Sequence, residues 1–387
     1  MTNVASTIKQ KLTRQAPADK YVIWVVLGLA AIGIVAVYSA ITFLAETKAG
    51  GNTEAFLWRH LVRVGLALGV MGVVSFVDYR TLARFSKLAL IGALGLLLAV
   101  QIVGVASGGA ERWIRVGSFG FQPSDLAKVA LVMYIAVLLT QKQTYIKSFT
   151  RSFLPLLVWV LLTVALIGVE DLSTAFVVLV TAMLMCFVGR VSFIQLSGLA
   201  LVGAGLAVIM LMGSPHRAAR IEAYLGMDLF PNTQTEQVFD RQAEGYQADQ
   251  ARIAIAMGGL TGVGPGKSIQ RDFLPAPYND FIFAIITEEY GLVRGAMGLL
   301  LLFSILLFRG LLRIARHAPD PLGLFLGVGF TVMVALYGFI HAGVASGLLP
   351  VTGLPMPLVS YGGTSMVTTG FMLGVLLNIS RQARPSP

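Results

Sequence analysis

The stretch GGLTGVGPGKSIQRDFLPAPYNDF (residues 258–281) closes its glycine run on Gly266-Lys267-Ser268, the ending of a P-loop. Read that way, it would make the chain a nucleotide-binding α/β protein. A P-loop needs Gly, four residues, then Gly-Lys-Ser or Gly-Lys-Thr, because a strand must feed a glycine turn whose helix N-terminus cradles phosphates. Where the first glycine belongs stands Thr261. The preceding YQADQARIAIAMGG, with Tyr246, Ile253 and Met257 recurring, predicts a short amphipathic helix in place of the required strand. The nucleotide reading fails, and the stretch instead ends in one aspartate, Asp280, set directly against the apolar run FIFAII.

Outward from that run the chain is apolar almost throughout. Of its 387 residues 56% are hydrophobic and only 12% charged, and the mean hydropathy of +0.79 lies outside the range of soluble domains. Apolar runs long enough to cross a hydrocarbon layer of roughly 30 Å as helices recur at 21–44, 61–77, 88–106, 126–140, 153–169, 172–188, 193–212, 290–308, 322–345 and 365–380. The expectation is an all-α polytopic membrane protein of ten transmembrane helices. A large extracytoplasmic loop, about 213–280, joins helices seven and eight; residues 1–20 and 381–387 form cytoplasmic tails around a membrane domain at 21–380.

Orientation follows from the basic residues. With the N-terminus inside, the inner segments hold sixteen Lys and Arg against three acidic residues, whereas the loop at 213–280 holds six basic and eight acidic ones. The net charge of +10 is accounted for by inner loops facing an anionic leaflet, so no nucleic-acid partner is implied. Cys186, the single cysteine, falls inside an apolar run, so no disulfide is expected.

Ionisable residues inside a membrane are costly and are read first as functional candidates. Here Arg63, Asp125, Lys128, Glu170, Asp171, Asp280, Glu288, Glu289 and Arg294 all fall near the outer ends of the runs. That layout suits a polar site at the outer leaflet, and lacks the midplane polar groups on broken helices expected of a transporter. Arg63 reads as a snorkelling residue, and Glu289 with Arg294 either as an interhelical pair or as simply interfacial residues. Were 280–290 one helix, Glu288 would lie about 80° round from Asp280 and Glu289 about 180°, so that only Glu288 would share its site.

Three stretches resemble one family: GGAERWIRVGSFGFQPSDLAKVAL (108–131), YNDFIFAIITEEYGLVRG (278–295) and GLLPVTGLPMPLVSYGGTS (347–365). They are similar to the signatures of the SEDS family, the FtsW, RodA and SpoVE proteins of bacterial cell-wall synthesis. The second and third are most similar to the division branch, FtsW, and the resemblance runs from about Tyr21 to Arg381. It implies a glycosyltransferase of the bacterial cytoplasmic (inner) membrane that polymerises lipid II at the outer face, extending an undecaprenyl-pyrophosphate-linked glycan. Implied partners are a class B penicillin-binding protein acting as transpeptidase and other membrane proteins of the divisome or elongation complex.

The family's essential aspartate falls on Asp280, its Gln-Pro-Ser-Glu-x-x-Lys motif on Gln122, Pro123, Ser124, Asp125 and Lys128, and its Arg-Trp pair on Arg112 and Trp113. The arginines early in its large loop resemble Arg217 and Arg220. The chain departs from the pattern at Asp125, where the family usually has Glu, at EDLSTA (170–175), which replaces Pro-Asp-x-Gly-Thr, and at His341, where Asn is usual.

The implied reaction joins a sugar hydroxyl to an anomeric carbon whose leaving group is already a pyrophosphate, so it needs a base and positive charge but no nucleotide. Asp280 is the candidate base; Lys128, Arg217, Arg220 and Arg112 are candidate phosphate clamps, with Lys267 or Arg271 available to the lipid head. Alternatively Asp280 holds a divalent metal, Mg²⁺ or Mn²⁺, bridging the pyrophosphate. No His or Cys cluster invites zinc. Two other functions compete: a lipid II flippase, which needs a polar path to the inner leaflet, and a non-catalytic scaffold for the transpeptidase.

Overall fold

The computed structural model describes residues 17–48, 53–103, 105–107, 110–116, 119–227, 235–274 and 276–383. The described residues of the apolar runs lie mostly on helix; the run 61–77 outlasts its helix by three residues and the run 88–106 ends in a strand. In chain order the helices are α1 (Lys20–Lys48), α2 (Thr53–Val74), then, after a short α3 (Tyr79–Arg84), α4 (Ser86–Val103), α5 (Pro123–Gln141), α6 (Leu154–Glu170), α7 (Leu172–Val188) and α8 (Phe193–Met212). Beyond the large loop, with its helices α9 (Pro215–Leu225) and α10 (Thr235–Gly258), come α11 (Ile282–Gly291) continuing into α12 (Gly298–Phe308), then α13 (Pro321–Ala345) and α14 (Thr364–Gln382). Among the described residues seven helical segments are long and apolar enough to cross a membrane, and α4 and α7 are shorter apolar helices. The last, α14, is 19 residues long and more polar, with Ser365, Thr368, Thr369 and Asn378 along it.

Helix starts follow local chemistry. Pro123 and Pro321 occupy the first turns of α5 and α13, where a missing N–H costs nothing. Asp320 caps α13 by accepting from Gly323 N–H, and Asp171 caps α7 by accepting from Ser173 and Thr174 N–H. The centre of the bundle is α5 and α13, with 83% and 78% of their apolar windows buried; α8, at 17%, lies at the periphery. The charged start of α5 is therefore on one of the most enclosed helices.

Three features differ from the sequence expectation. A three-stranded antiparallel sheet, β1 (Val105–Ser107), β2 (Ala110–Val116) and β3 (Phe119–Phe121), sits between α4 and α5. Its strands run three to seven residues, too short for alternation to stand out. The stretch 213–280, expected as loop, contains α9 and α10, and the amphipathic helix expected near Tyr246 to Met257 is the C-terminal half of α10.

The third difference is a broken span. After α10 the chain crosses α11 backbone to backbone: Val263 N–H donates to Glu288 O (2.9 Å), Gly264 N–H to Glu289 O (3.0 Å), and Leu292 N–H to Gly259 O (2.8 Å). Groups that would continue the helical ladder are thus spent on the loop, and α11 passes through Gly291 (φ 80°) into a π-helical segment, Leu292–Met297. No side chain fits the crossing. A Cβ on Gly262 would stand 2.2 Å from Glu289 O, and one on Gly291 2.4 Å from Leu260 O. Within the run that resembled a phosphate loop, Gly258 and Gly262 serve this close approach.

At the opposite end of the bundle polar contacts join segments distant in sequence. Tyr79 OH (3.0 Å) and Arg80 Nε (2.7 Å) both donate to Asp320, Tyr79 N–H donates to Asn378 Oδ1 (3.1 Å), and Arg309 pairs with Asp19.

Candidate functional site

Asp280 sits in a turn, not on a helix. Asn279 and Asp280 N–H both donate to Ala276 O (3.1 and 3.2 Å), and α11 begins only at Ile282. The helical phase that paired Asp280 with Glu288 therefore does not exist. Glu288 is fully buried and accepts from Ser268 Oγ, Ile269 N–H (2.9 Å) and Gln270 N–H (3.3 Å), which fastens the glycine loop to α11. Its neighbour Glu289 accepts from Ser39 Oγ on α1, and Arg271 Nη1 donates to Ser39 O (3.2 Å); Arg294, its expected partner, is exposed.

Asp280 is partly buried, and Asn279 Nδ2 donates to its Oδ1 at 2.8 Å. The third motif clasps this turn. Ser360 Oγ donates to Asn279 O (2.8 Å) while accepting from Met356 N–H (2.8 Å), and Tyr361 N–H donates to Tyr278 O (2.9 Å). The Tyr361 ring meets Tyr278 edge-on at 5.6 Å, stacks on His60 at 5.6 Å and carries the Arg63 guanidinium 4.4 Å from its centroid. Arg63, expected to snorkel, thus rests on an aromatic face. Burial, with Tyr361 and the Asp280 carboxylate nearby, raises the Tyr278 hydroxyl above its ordinary pKa.

Asp125 and Lys128, on the first turns of α5, form a buried ion pair at 2.6 Å. Thr364 Oγ1 donates to the other carboxylate oxygen (2.6 Å). Lys128 Nζ also donates to Tyr337 OH (3.3 Å), which donates to Thr174 Oγ1 (3.4 Å), and that hydroxyl to Asp171 Oδ2 (3.0 Å). Two of the three ammonium donors are so engaged. Ser124 Oγ is buried with no hydrogen-bond partner among the described residues. A cavity of ≈ 10 Å³, room for about one water, is lined by Lys128, Tyr337, Pro355, Ser360, Ser365 and Thr369. Since Ser360 lines it and also holds Asn279, Lys128 and Asp280 belong to one neighbourhood.

The remaining expected residues lie elsewhere. Arg217 donates to Gly168 O (2.8 Å) and to Val169 O at the end of α6, satisfying terminal helix carbonyls. Arg220 lines a separate cavity of ≈ 90 Å³ with Tyr224, Asp249, Arg252 and Gly347. Lys267 is exposed on the glycine loop. Arg112 and Trp113 are on β2, and their side chains lie outside the described residues. No group of three or more His, Cys, Asp or Glu converges among the described residues, so the protein donors at Asp280 do not by themselves make up a metal site.

Sequence reasoning missed Tyr337, Ser360, Tyr361 and Thr364 as members of the site. Three of them stand inside the quoted third motif, so the signal was there without a partner to attach it to. It also gave no hint of an apolar cavity of ≈ 590 Å³ between α6, α7 and α8, lined by Val164, Phe176, Leu179, Met183, Met210 and Leu354.

Comparison with known proteins agrees with this architecture. A family profile for the FtsW, RodA and SpoVE proteins, described as cell cycle protein, matches residues 20–385. Stage V sporulation protein E of Bacillus subtilis is 38% identical over 96% of this chain and 99% of its own. The probable peptidoglycan glycosyltransferase FtsW of Geobacter sulfurreducens is 36% identical over 95% of this chain and 96% of its own. The crystal structure of the rod shape determining protein RodA of Thermus thermophilus superposes with a TM-score of 0.68 at 25% identity, covering 95% of this chain and 98% of that one. A chain from a structure described as structural coordination of polymerization and crosslinking by a peptidoglycan synthase complex gives 0.73 at 27% identity, over 94% and 98%. With its whole membrane domain matched, the chain belongs to the FtsW/RodA/SpoVE family of cell cycle proteins.

Proposed function

We propose that this chain is a peptidoglycan glycosyltransferase that polymerises lipid II at the outer face of the bacterial cytoplasmic membrane. One observation carries the reading from the site itself: Leu354 lines the large apolar cavity and the next residue, Pro355, lines the cavity of Lys128. A lipid-linked sugar pyrophosphate asks for that adjacency, hydrocarbon space beside a fixed cation. The FtsW relatives, named probable peptidoglycan glycosyltransferases, supply the reaction.

In this reading Asp280 takes the proton of the acceptor sugar's 4-hydroxyl as that oxygen bonds to the donor's anomeric carbon. The bond from that carbon to the pyrophosphate breaks, and its electron pair leaves with the phosphate oxygen. A positioned base is worth roughly 10²–10⁴-fold. Asn279 orients the carboxylate. Lys128, held by Asp125 and Tyr337, turns its remaining donor to the leaving phosphate. A divalent ion, Mg²⁺ or Mn²⁺, if bound, would be held by Asp280 and would supply positive charge to the departing pyrophosphate.

The excess of basic residues in the opposite loops supports cytoplasmic termini and an outward-facing site. A class B penicillin-binding protein is the proposed partner, supported by the likeness to a chain of a peptidoglycan synthase complex.

The test is glycan-strand formation from purified lipid II, with and without the cognate transpeptidase, comparing wild type with Asp280→Asn at matched folding and partner binding. Polymer from wild type and none from the variant is expected. Equal polymer from both would leave Asp280 structural, and no polymer from either would favour flipping or scaffolding.

A further inference from the structure

The turn that presents Asp280 is bonded through its backbone carbonyls to a segment distant in sequence. Two backbone bonds within the turn, from Asn279 and Asp280 N–H, converge on the single Ala276 carbonyl. Two consecutive residues of the distant segment, Ser360 and Tyr361, tie the turn to the helix bundle by acting on two consecutive carbonyls, Asn279 and Tyr278, immediately before Asp280.

That segment is itself rigidly seated. Ser360 is 1% exposed, its N–H donates to Met356 O (3.0 Å) and its hydroxyl accepts from Met356 N–H. Two residues earlier Leu358, also buried, holds φ 63°, a conformation that persists in a leucine only where its surroundings over-determine it. The surroundings are visible: a Cβ on Gly33 of α1 would stand 2.5 Å from Leu358 O, so the segment is wedged against that helix. The Tyr361 ring adds a side wall, packed among Tyr278, His60 and Arg63.

We infer that Ser360 and Tyr361 are positioning residues, which fix the Tyr278–Asp280 turn to the bundle and so set where the Asp280 carboxylate meets the acceptor hydroxyl. The inference rests on the reading of Asp280 as the group that acts on that hydroxyl. Ser360 acts through its hydroxyl, which both receives and gives a bond. Tyr361 acts through its backbone N–H and its ring, so its own hydroxyl is dispensable.

The experiment uses the full chain in lipid nanodiscs with its transpeptidase. Ser360→Ala and Tyr361→Ala are compared with the conservative Ser360→Thr and Tyr361→Phe. Initial rates on lipid II are measured, as is the mobility of a spin label at Ala276→Cys; the native Cys186 is fully buried and does not compete for label. Ser360→Ala and Tyr361→Ala are expected to lower kcat by roughly ten- to a hundredfold with KM held within about twofold, and to loosen the label. Tyr361→Phe is expected to match wild type in both readouts. Unchanged kcat, or a rise in KM alone, would overturn the inference, as would an immobile label in both alanine variants. If Ser360→Ala does not fold, the Tyr361→Ala and Tyr361→Phe pair decides. Full activity in Asp280→Asn would sink the functional reading, yet the label would still report whether the clasp holds the turn.

Discussion

Lys128 Nζ lies 2.6 Å from Asp125 Oδ1, with both residues buried and Thr364 closing the second carboxylate oxygen. A charge buried in this position depends chiefly on its partner. Breaking such a pair from one side leaves the other ion uncompensated, at about 3–5 kcal/mol. Lys128→Met and Asp125→Asn are therefore each expected to destabilise the protein strongly in detergent melts. The double variant Lys128→Met with Asp125→Asn should recover much of that stability without recovering polymerisation. A double variant with full activity would remove Lys128 from the reaction, and additive losses would mean that the pair is not coupled.

Gly262 bears the backbone crossing of α11. Gly262→Ala would push a methyl to 2.2 Å from Glu289 O at a φ of 85°, and the backbone conformation alone costs about 1–3 kcal/mol. The expected result is a lower melting temperature and poor recovery of monodisperse protein. Alanine at Gly266, also at positive φ but with open space around its Cβ position, should cost less. Equal melting temperatures for the two variants would argue against the crossing as the reason for the glycine.

Glu288 spends its carboxylate on the glycine loop. Glu288→Gln keeps the shape but turns an amide donor toward Ser268, Ile269 or Gln270, with an expected loss of about 1.5–3 kcal/mol. Limited proteolysis is expected to cut within 259–274 faster than in wild type. A variant that loses lipid II binding while its loop stays protected would instead return Glu288 to the substrate site.

Tyr79, between α2 and α4, is held protonated above its ordinary range by burial first and then by the charge and hydrogen bond of Asp320. A folded state that keeps this proton more tightly than the unfolded chain gains stability that is complete below the unfolded value, about 10. It is lost as pH rises past that value toward the folded one. Melting temperature should fall more steeply above about pH 10 in wild type than in Tyr79→Phe. Parallel curves would refute the assignment.

Some of this was determined by the sequence alone. Hydropathy located the apolar helices, since burial in lipid is a property of each segment by itself, and the three motifs led to the family and singled out Asp280. What only the tertiary structure decided is which polar groups meet. Glu288 turned out to serve the loop, Arg217 the end of α6, and Ser360, Tyr361 and Thr364 entered the site unannounced. The bond between Ser360 and Asn279 spans 81 residues and that between Thr364 and Asp125 spans 239. Periodicity and spacing act over a few turns of helix, whereas such contacts exist only once α1, α5, α13 and α14 have packed and brought their ends together.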